Sequence, residues 1–150
     1  MIAFPDTSFL CAFYRRQDNS SQAAGYFKAM PEALYVSSLL LYEFRQSVRL
    51  QVWLHARDKS KGHSEAECER AMADLQTDLD TGVVVLATVD WPDVHRLAET
   101  LSKRHTVSAG HRAFDVLHVA TALHLGAREF LTFDANQRKL AIAEKLKVKP

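Results

Sequence analysis

Cysteine is scarce in this chain. Only Cys11 and Cys68 occur in 150 residues, far apart and without a Cys-x-x-Cys spacing, which excludes a disulfide framework and a cysteine-ligated zinc site and fits a reducing compartment. Cys11, inside an apolar run, reads as a small core residue. Histidine supplies no zinc motif either, since no two of the seven stand at i, i+4. Neither sign of charge dominates: the formal net charge is +1, so any surface that attracts nucleic acid must be local. Long hydrophobic runs are missing, as is a cationic leader with an apolar stretch and cleavage site. The expectation is a soluble, cytoplasmic protein with no membrane association. No repeat, low-complexity stretch or linker interrupts the chain, which is expected to form one domain over residues 1–150. Its 47% hydrophobic and 25% charged residues are enough for an ordinary globular core.

The stretch HRAFDVLHVATALHLGAREFLTFDAN (111–136) is the most informative. Phe114, Val116, Leu117, Val119, Ala120, Ala122, Leu123 and Leu125 make a helix that is apolar around most of its circumference and therefore internal. Gly126 supplies the stop, and Phe130–Phe133 reads as a short buried strand. Upstream, Met1–Phe4 is a strand ended by Pro5, Phe9–Tyr14 a helix, and Ser20–Met30 a second helix closed by Pro31. Leu34–Val36 is a strand, and Ser37 or Ser38 caps a long helix to about Arg57. Ser64 and Glu67 form a capping box opening a helix to about Asp80, expected as a solvated outer arm. Val83–Ala87 is the clearest strand. Asp90, with Pro92 in the first turn, starts a helix to about His105, and residues 106–110 form a loop. A last helix, Asn136–Lys145, and an edge strand at Val148 complete the chain. Strands alternating with helices predict an α/β domain with a mostly parallel sheet of four to five short strands.

Four carboxylates can reach one edge of that sheet. Asp6 follows the first strand and Asp134 the fourth, while Glu43 and Asp115 lie early in helices. Sites in parallel α/β sheets form where strands end and helices begin. Each residue alone has a structural explanation: Asp6, Asp115 and Asp134 as helix caps, Glu43 as an ordinary helix charge, His118 as a satisfied helix residue, and His111 and Arg112 as loop residues. If the four meet, they cannot all ionise unaided. Two carboxylates ~4 Å apart repel by roughly 4 kcal/mol at an effective dielectric of 20. Oxygen-only ligands select a hard ion, Mg²⁺ or Mn²⁺, which suits phosphodiester cleavage by activated water.

The order Asp6-Thr7-Ser8, Glu43 within VSSLLLYEF, Asp115 within FDVLHVATAL and Asp134 within FLTFDAN resembles the PIN-domain ribonucleases, and most of all the VapC-type toxins of toxin–antitoxin pairs. The resemblance runs from the first strand to the last helix. It implies a three-layer PIN-like fold and a Mg²⁺- or Mn²⁺-dependent endoribonuclease that leaves 5′-phosphate and 3′-hydroxyl ends. By the same resemblance Asp6, Glu43, Asp115 and Asp134 are the catalytic and metal-binding quartet, with Asp6 and Asp115 the firmest ligands. Thr7, Ser8, Ser38, Thr132 and Asn136 support it, although capping explains Ser38 as well. Arg15, Arg16, Arg112 and Arg138, with Arg45 and Arg49, are candidate RNA contacts. A homodimer and a cognate antitoxin that places Arg or Lys among the carboxylates are also implied. Pro5 departs from the family pattern, and the donor it lacks is expected to bend the strand end and shift Asp6 slightly.

Three other readings compete. A non-catalytic PIN-like scaffold would be favoured by loss of an acid, and all four are present. A receiver-type phosphoacceptor would want adjacent acids after its first strand, where Asp6 stands alone. A DNA-directed nuclease of the superfamily would bring further acids and larger helical insertions.

Overall fold

The computed structural model describes residues 2–30 and 32–150. The strands are β1 (Ala3–Pro5), β2 (Leu34–Val36), β3 (Val84–Leu86), β4 (Glu129–Leu131) and β5 (Lys147–Lys149). The helices are α1 (Thr7–Tyr14), α2 (Ser20–Ala29), α3 (Ser38–Arg57), α4 (Glu65–Asp80), α5 (Trp91–Leu101), α6 (Val107–Ala109), α7 (Ala113–His124) and α8 (Ala135–Ala143). A π-helical segment, Ser102–Thr106, joins α5 to α6.

All the described ladders are parallel. β4 lies between β1 and β5, β2 pairs with β3, and β2 packs beside β1. The chain therefore winds outward from β1 to β3 and returns to β4 on the other side of β1. This reversal is a topological switch point, where α/β sheets open a crevice at the carboxyl ends of their strands. Asp6 and Asp134 follow the two strands that flank it. Helices α1–α4 pack among themselves, as do α5, α7 and α8, and the two groups flank the sheet. The central strands carry large apolar residues because both faces are covered. Phe4 and Phe130 face each other in register with ring centroids 6.4 Å apart, and both are fully buried with Phe9, Phe44, Leu34 and Leu131.

Pro5 does not end the first strand as expected; it is part of it, opposite Leu131. Backbone direction alternates along a strand. The bonds to β4 are made at Ile2, whose carbonyl accepts from Arg128, and at Asp6, whose N–H donates to the Leu131 carbonyl at 2.9 Å. Pro5, one residue out of phase with both, turns its nitrogen toward β2. The missing donor leaves the β4 ladder intact and Asp6 anchored to it.

Other differences follow from packing. The expected loop at 106–110 is instead helical to Ala109, where Gly110 (φ 71°) ends it in the left-handed conformation. Helix α4 is solvated on its polar face, as expected, but is no free-standing arm: Cys68, Ala71 and Leu75 bury the other face and Tyr14 donates to Asp78 at 2.6 Å. Ser37, not Ser38, caps α3, and Ser38 is exposed in the first turn. The capping box of Ser64 with Glu67 and the cap by Asp90 are as expected. The expected strand start at Met1 and helix closure at Pro31 lie outside the described residues.

Candidate active site

Asp6 is fully buried at the end of β1 and caps α1. A carboxylate has about four acceptor positions, and here all are used. Oδ1 accepts from the Phe9 N–H (2.9 Å) and the Ser8 hydroxyl (2.6 Å), and Oδ2 accepts from the Thr132 hydroxyl and from Gln137 Nε2 (2.8 Å). Burial nevertheless dominates and pushes its carboxyl up to about 6, against the lowering effect of Ser8, Thr132 and the Phe9 N–H.

Asp134 caps α8, accepting from the Asn136 and Gln137 N–H groups at 2.8 Å each. Its own N–H donates to Thr132 Oγ1 at 2.9 Å, and the Phe133 N–H donates to Ser8 Oγ at 2.9 Å. Thr132 thus joins the two acids that follow adjacent strands. The capping explanations for Asp6 and Asp134 are correct as far as they go.

Glu43 reaches the same edge from the second turn of α3. Its Oε2 accepts from the Thr7 hydroxyl and pairs with Nε2 of His118. Burial acts to raise its carboxyl, but the hydrogen bonds from His118 and Thr7 outweigh it and hold Glu43 below the usual carboxylate range. Asp115 does not cap α7, whose N-cap position is Arg112. It sits in the first turn, buried, with Arg112 Nε 3.2 Å from Oδ2. Burial pushes the Asp115 carboxyl up. Arg112 opposes that shift, and the charges of Asp134 and Glu43 add to it. That electrostatic influence links the acids brought from α3, α7 and the end of β4.

The expected supporting residues divide. Thr7, Ser8 and Thr132 touch the carboxylates, whereas Asn136 contributes its backbone N–H. Arg112 borders the site. Arg138 bonds the Pro150 carbonyl at 2.6 Å. Arg15 and Arg16 lie at the far end of α1, roughly 13 Å along the helix axis from Asp6. Sequence reasoning gives His118 only a structural place and misses Gln137. His118 is fully buried and grips Glu43, with Nδ1 left unpartnered, so it is more than a satisfied helix residue. Gln137 holds Asp6 from the first turn of α8, and its Oε1 is buried without a partner. Their spacing, three residues after Asp115 and Asp134 respectively, was the available signal.

The donor set of Asp6, Glu43, Asp115 and Asp134 is oxygen-only, and the charges of Glu43 and Asp134 bear on Asp115, which suits a hard dication. Among the described residues, no three Asp, Glu, His or Cys side chains stand together as a ready-made metal cage. Ligation by Asp6 therefore requires one of its hydroxyl donors to turn away.

Solved structures share this fold. The VapC20 toxin of Mycobacterium tuberculosis, described as cleaving the sarcin–ricin loop, superimposes with a TM-score of 0.68 at 23% identity, covering 99% of each chain. FitAcB of Neisseria gonorrhoeae gives 0.63 at 16% identity, over 99% of this chain and 97% of that one. VapBC2 of Rickettsia felis, solved on a DNA fragment from its promoter, gives 0.68 at 12% identity, over 99% and 98%. No curated protein matches in sequence. The model of the PIN domain matches residues 3–143, nearly the whole length, and the chain belongs to the PIN domain family.

Proposed function

We propose that this chain is a Mg²⁺- or Mn²⁺-dependent endoribonuclease, one domain over residues 1–150, acting as the toxin of a toxin–antitoxin pair. The observation that carries this reading is that Asp134 and Glu43 act on buried Asp115 through their charges, while Thr132 joins Asp134 to Asp6 at the switch point between β1 and β4. A fold built only for stability gains nothing from placing Asp134 and Glu43 where their charges raise the proton affinity of buried Asp115. The same fold in toxins and toxin–antitoxin complexes adds support.

Asp6 and Asp115 are assigned as principal metal ligands, with Glu43 and Asp134 completing the set directly or through water. When bound, the ion supplies charge neutralisation and activation of the attacking water. Thr132, Ser8 and Gln137 orient Asp6, and Thr7 and His118 orient Glu43. Arg112, whose side chain is 77% exposed, is free to exchange Asp115 for an RNA phosphate. An antitoxin bearing Arg or Lys would compete for the same carboxylates. A homodimer is supported by exposed Tyr42, which with Leu39, Trp91 and Leu117 lines a shallow apolar groove. No helix among the described residues is long and apolar enough to cross a membrane.

The second reading, a non-catalytic PIN-like scaffold, draws on the complete hydrogen-bond saturation of Asp6. Incubating purified protein with total RNA, in Mg²⁺ or Mn²⁺ against EDTA and with Asp115→Asn alongside, separates the two. Discrete fragments that require both metal and Asp115 establish the nuclease. Intact RNA, in a sample free of bound antitoxin, establishes the scaffold.

A further inference from the structure

A cavity of about 470 Å³ opens between α5, the π-helical segment and the N-terminal end of α7, walled by His95, Glu99, Thr106, His111, Val116 and Leu117. Two of its lining residues each carry a buried polar atom without a hydrogen-bond partner, Thr106 Oγ1 and His111 Nδ1. His111 as a whole is only 8% exposed. Buried polar groups are normally paired, so two orphans on neighbouring wall residues point to a ligand that pairs them once these side chains turn toward it. The π-helical segment places one of them. π-helical turns are rare and concentrate at functional sites, and this one ends at Thr106, on the cavity wall.

The chemistry of the walls narrows the ligand. No Lys or Arg lines the cavity and Glu99 does, which disfavours a phosphate. A threonine hydroxyl both donates and accepts, and a neutral imidazole nitrogen does one or the other. Burial pushes His111 below the usual histidine range, so the neutral form is the resident one. Val116 and Leu117 offer apolar contact to a flat ring, and His95 an imidazole that can stack on it. A carboxylate such as Glu99 accepts from an exocyclic amino group.

The cavity also adjoins the acids. His111 lies within the electrostatic reach of Asp115 and Asp134. Ala113, Val116 and Leu117 form the cavity face of α7; at 3.6 residues per turn Asp115 falls on roughly the opposite side, so about one helix diameter, ~10 Å, separates the two. One or two nucleotides bridge that span, with exposed Arg112 between.

We propose that this cavity receives one nucleobase bearing an exocyclic amino group, flanking the cleaved bond, with Thr106 and His111 reading its edge and setting the sequence preference of cleavage. The proposal rests on the RNA-cleavage reading above, and its test has two arms. In the first, fragment ends from a total-RNA digest are sequenced for the wild type, Thr106→Val and Ala113→Leu. Thr106→Val removes the hydroxyl at nearly constant shape; Ala113, exposed on the rim, becomes a plug. The expected result is a preference at one flanking position that falls at least fivefold in both variants. Unchanged preference in both overturns the proposal. In the second arm, methyl NMR of the full chain follows Thr106 and Ala113 while each of the four ribonucleosides is added at millimolar concentration, without metal. Selective shifts with an amino-bearing nucleoside, lost at Thr106 in Ala113→Leu, support the proposal even if the protein cleaves no RNA, a failure that would fall on the nuclease reading alone. Absence of shifts with all four overturns it.

Discussion

Asp6→Asn is expected to stabilise the metal-free protein. The Asp6 carboxyl is held at about 6 against an ordinary 3.8, chiefly by burial. At 1.36 kcal/mol per pKa unit, its ionisation costs about 3 kcal/mol of folding stability at neutral pH. The sign follows from the direction of the shift. Below about pH 4 the group is protonated in folded and unfolded chains alike and contributes nothing. Between about 4 and 6 the unfolded chain ionises first, so stability falls as pH rises, and above 6 the loss is complete. Asparagine keeps the cap, because its oxygen can still accept from the Phe9 N–H and the Ser8 hydroxyl. Its amide nitrogen would face Thr132 and Gln137. The threonine hydroxyl can accept instead of donate, and a flipped Gln137 presents Oε1, the oxygen that now lacks a partner. Urea unfolding of both proteins in EDTA, from pH 4 to pH 8, measures the effect. The stability difference should be near zero at pH 4 and reach about 3 kcal/mol at pH 7, which for a chain of this length is a melting shift of roughly 10 °C. A variant no more stable than wild type at pH 7, or a gain that persists unchanged at pH 4, would refute the electrostatic argument.

Further expectations concern other parts of the molecule. Asp115→Asn should leave the circular dichroism spectrum and melting temperature intact or improved, while RNA cleavage in Mg²⁺ or Mn²⁺ falls at least a hundredfold (~3 kcal/mol in the barrier); a large loss of melting temperature would mark Asp115 as structural. His118→Leu removes the main hydrogen bond that holds Glu43 below its usual range. Wild-type stability from this source is present above about pH 4.5 and lost as pH falls, so the variant should show a shallower acid transition in EDTA. Gly62→Ala should destabilise by about 2 kcal/mol or more, because Gly62 has φ 64° and an added Cβ would stand 2.2 Å from the Gln51 carbonyl oxygen. Denaturant melts read this directly, and an unchanged midpoint would mean that the 58–62 turn rearranges freely.

Much of this architecture could be read before any coordinates. The capping box at Ser64, the Asp90–Pro92 helix start and the apolar helix of 113–124 are local patterns, set by backbone groups within a turn or two of each other. Where prediction failed, distant contacts intervened. Pro5 stays in β1 because its nitrogen faces away from β4, a matter of register between residues 5 and 131. One face of α4 is buried because α1 and α3 pack on it, which composition does not reveal.

The site divides along the same line. The sequence by itself determined which residues carry charge, that four acids follow strands or open helices, and that their order along the chain resembles the PIN-domain pattern. Only the tertiary structure decided that Thr132 ties Asp6 to Asp134, that His118 grips Glu43, that Arg112 offsets Asp115, and that Arg15 and Arg16 lie at the far end of α1. The physical reason is range. Helix caps and apolar periodicity are local properties of the chain, whereas the proton affinity of a buried carboxylate depends on burial and on charges brought close by residues dozens of positions away.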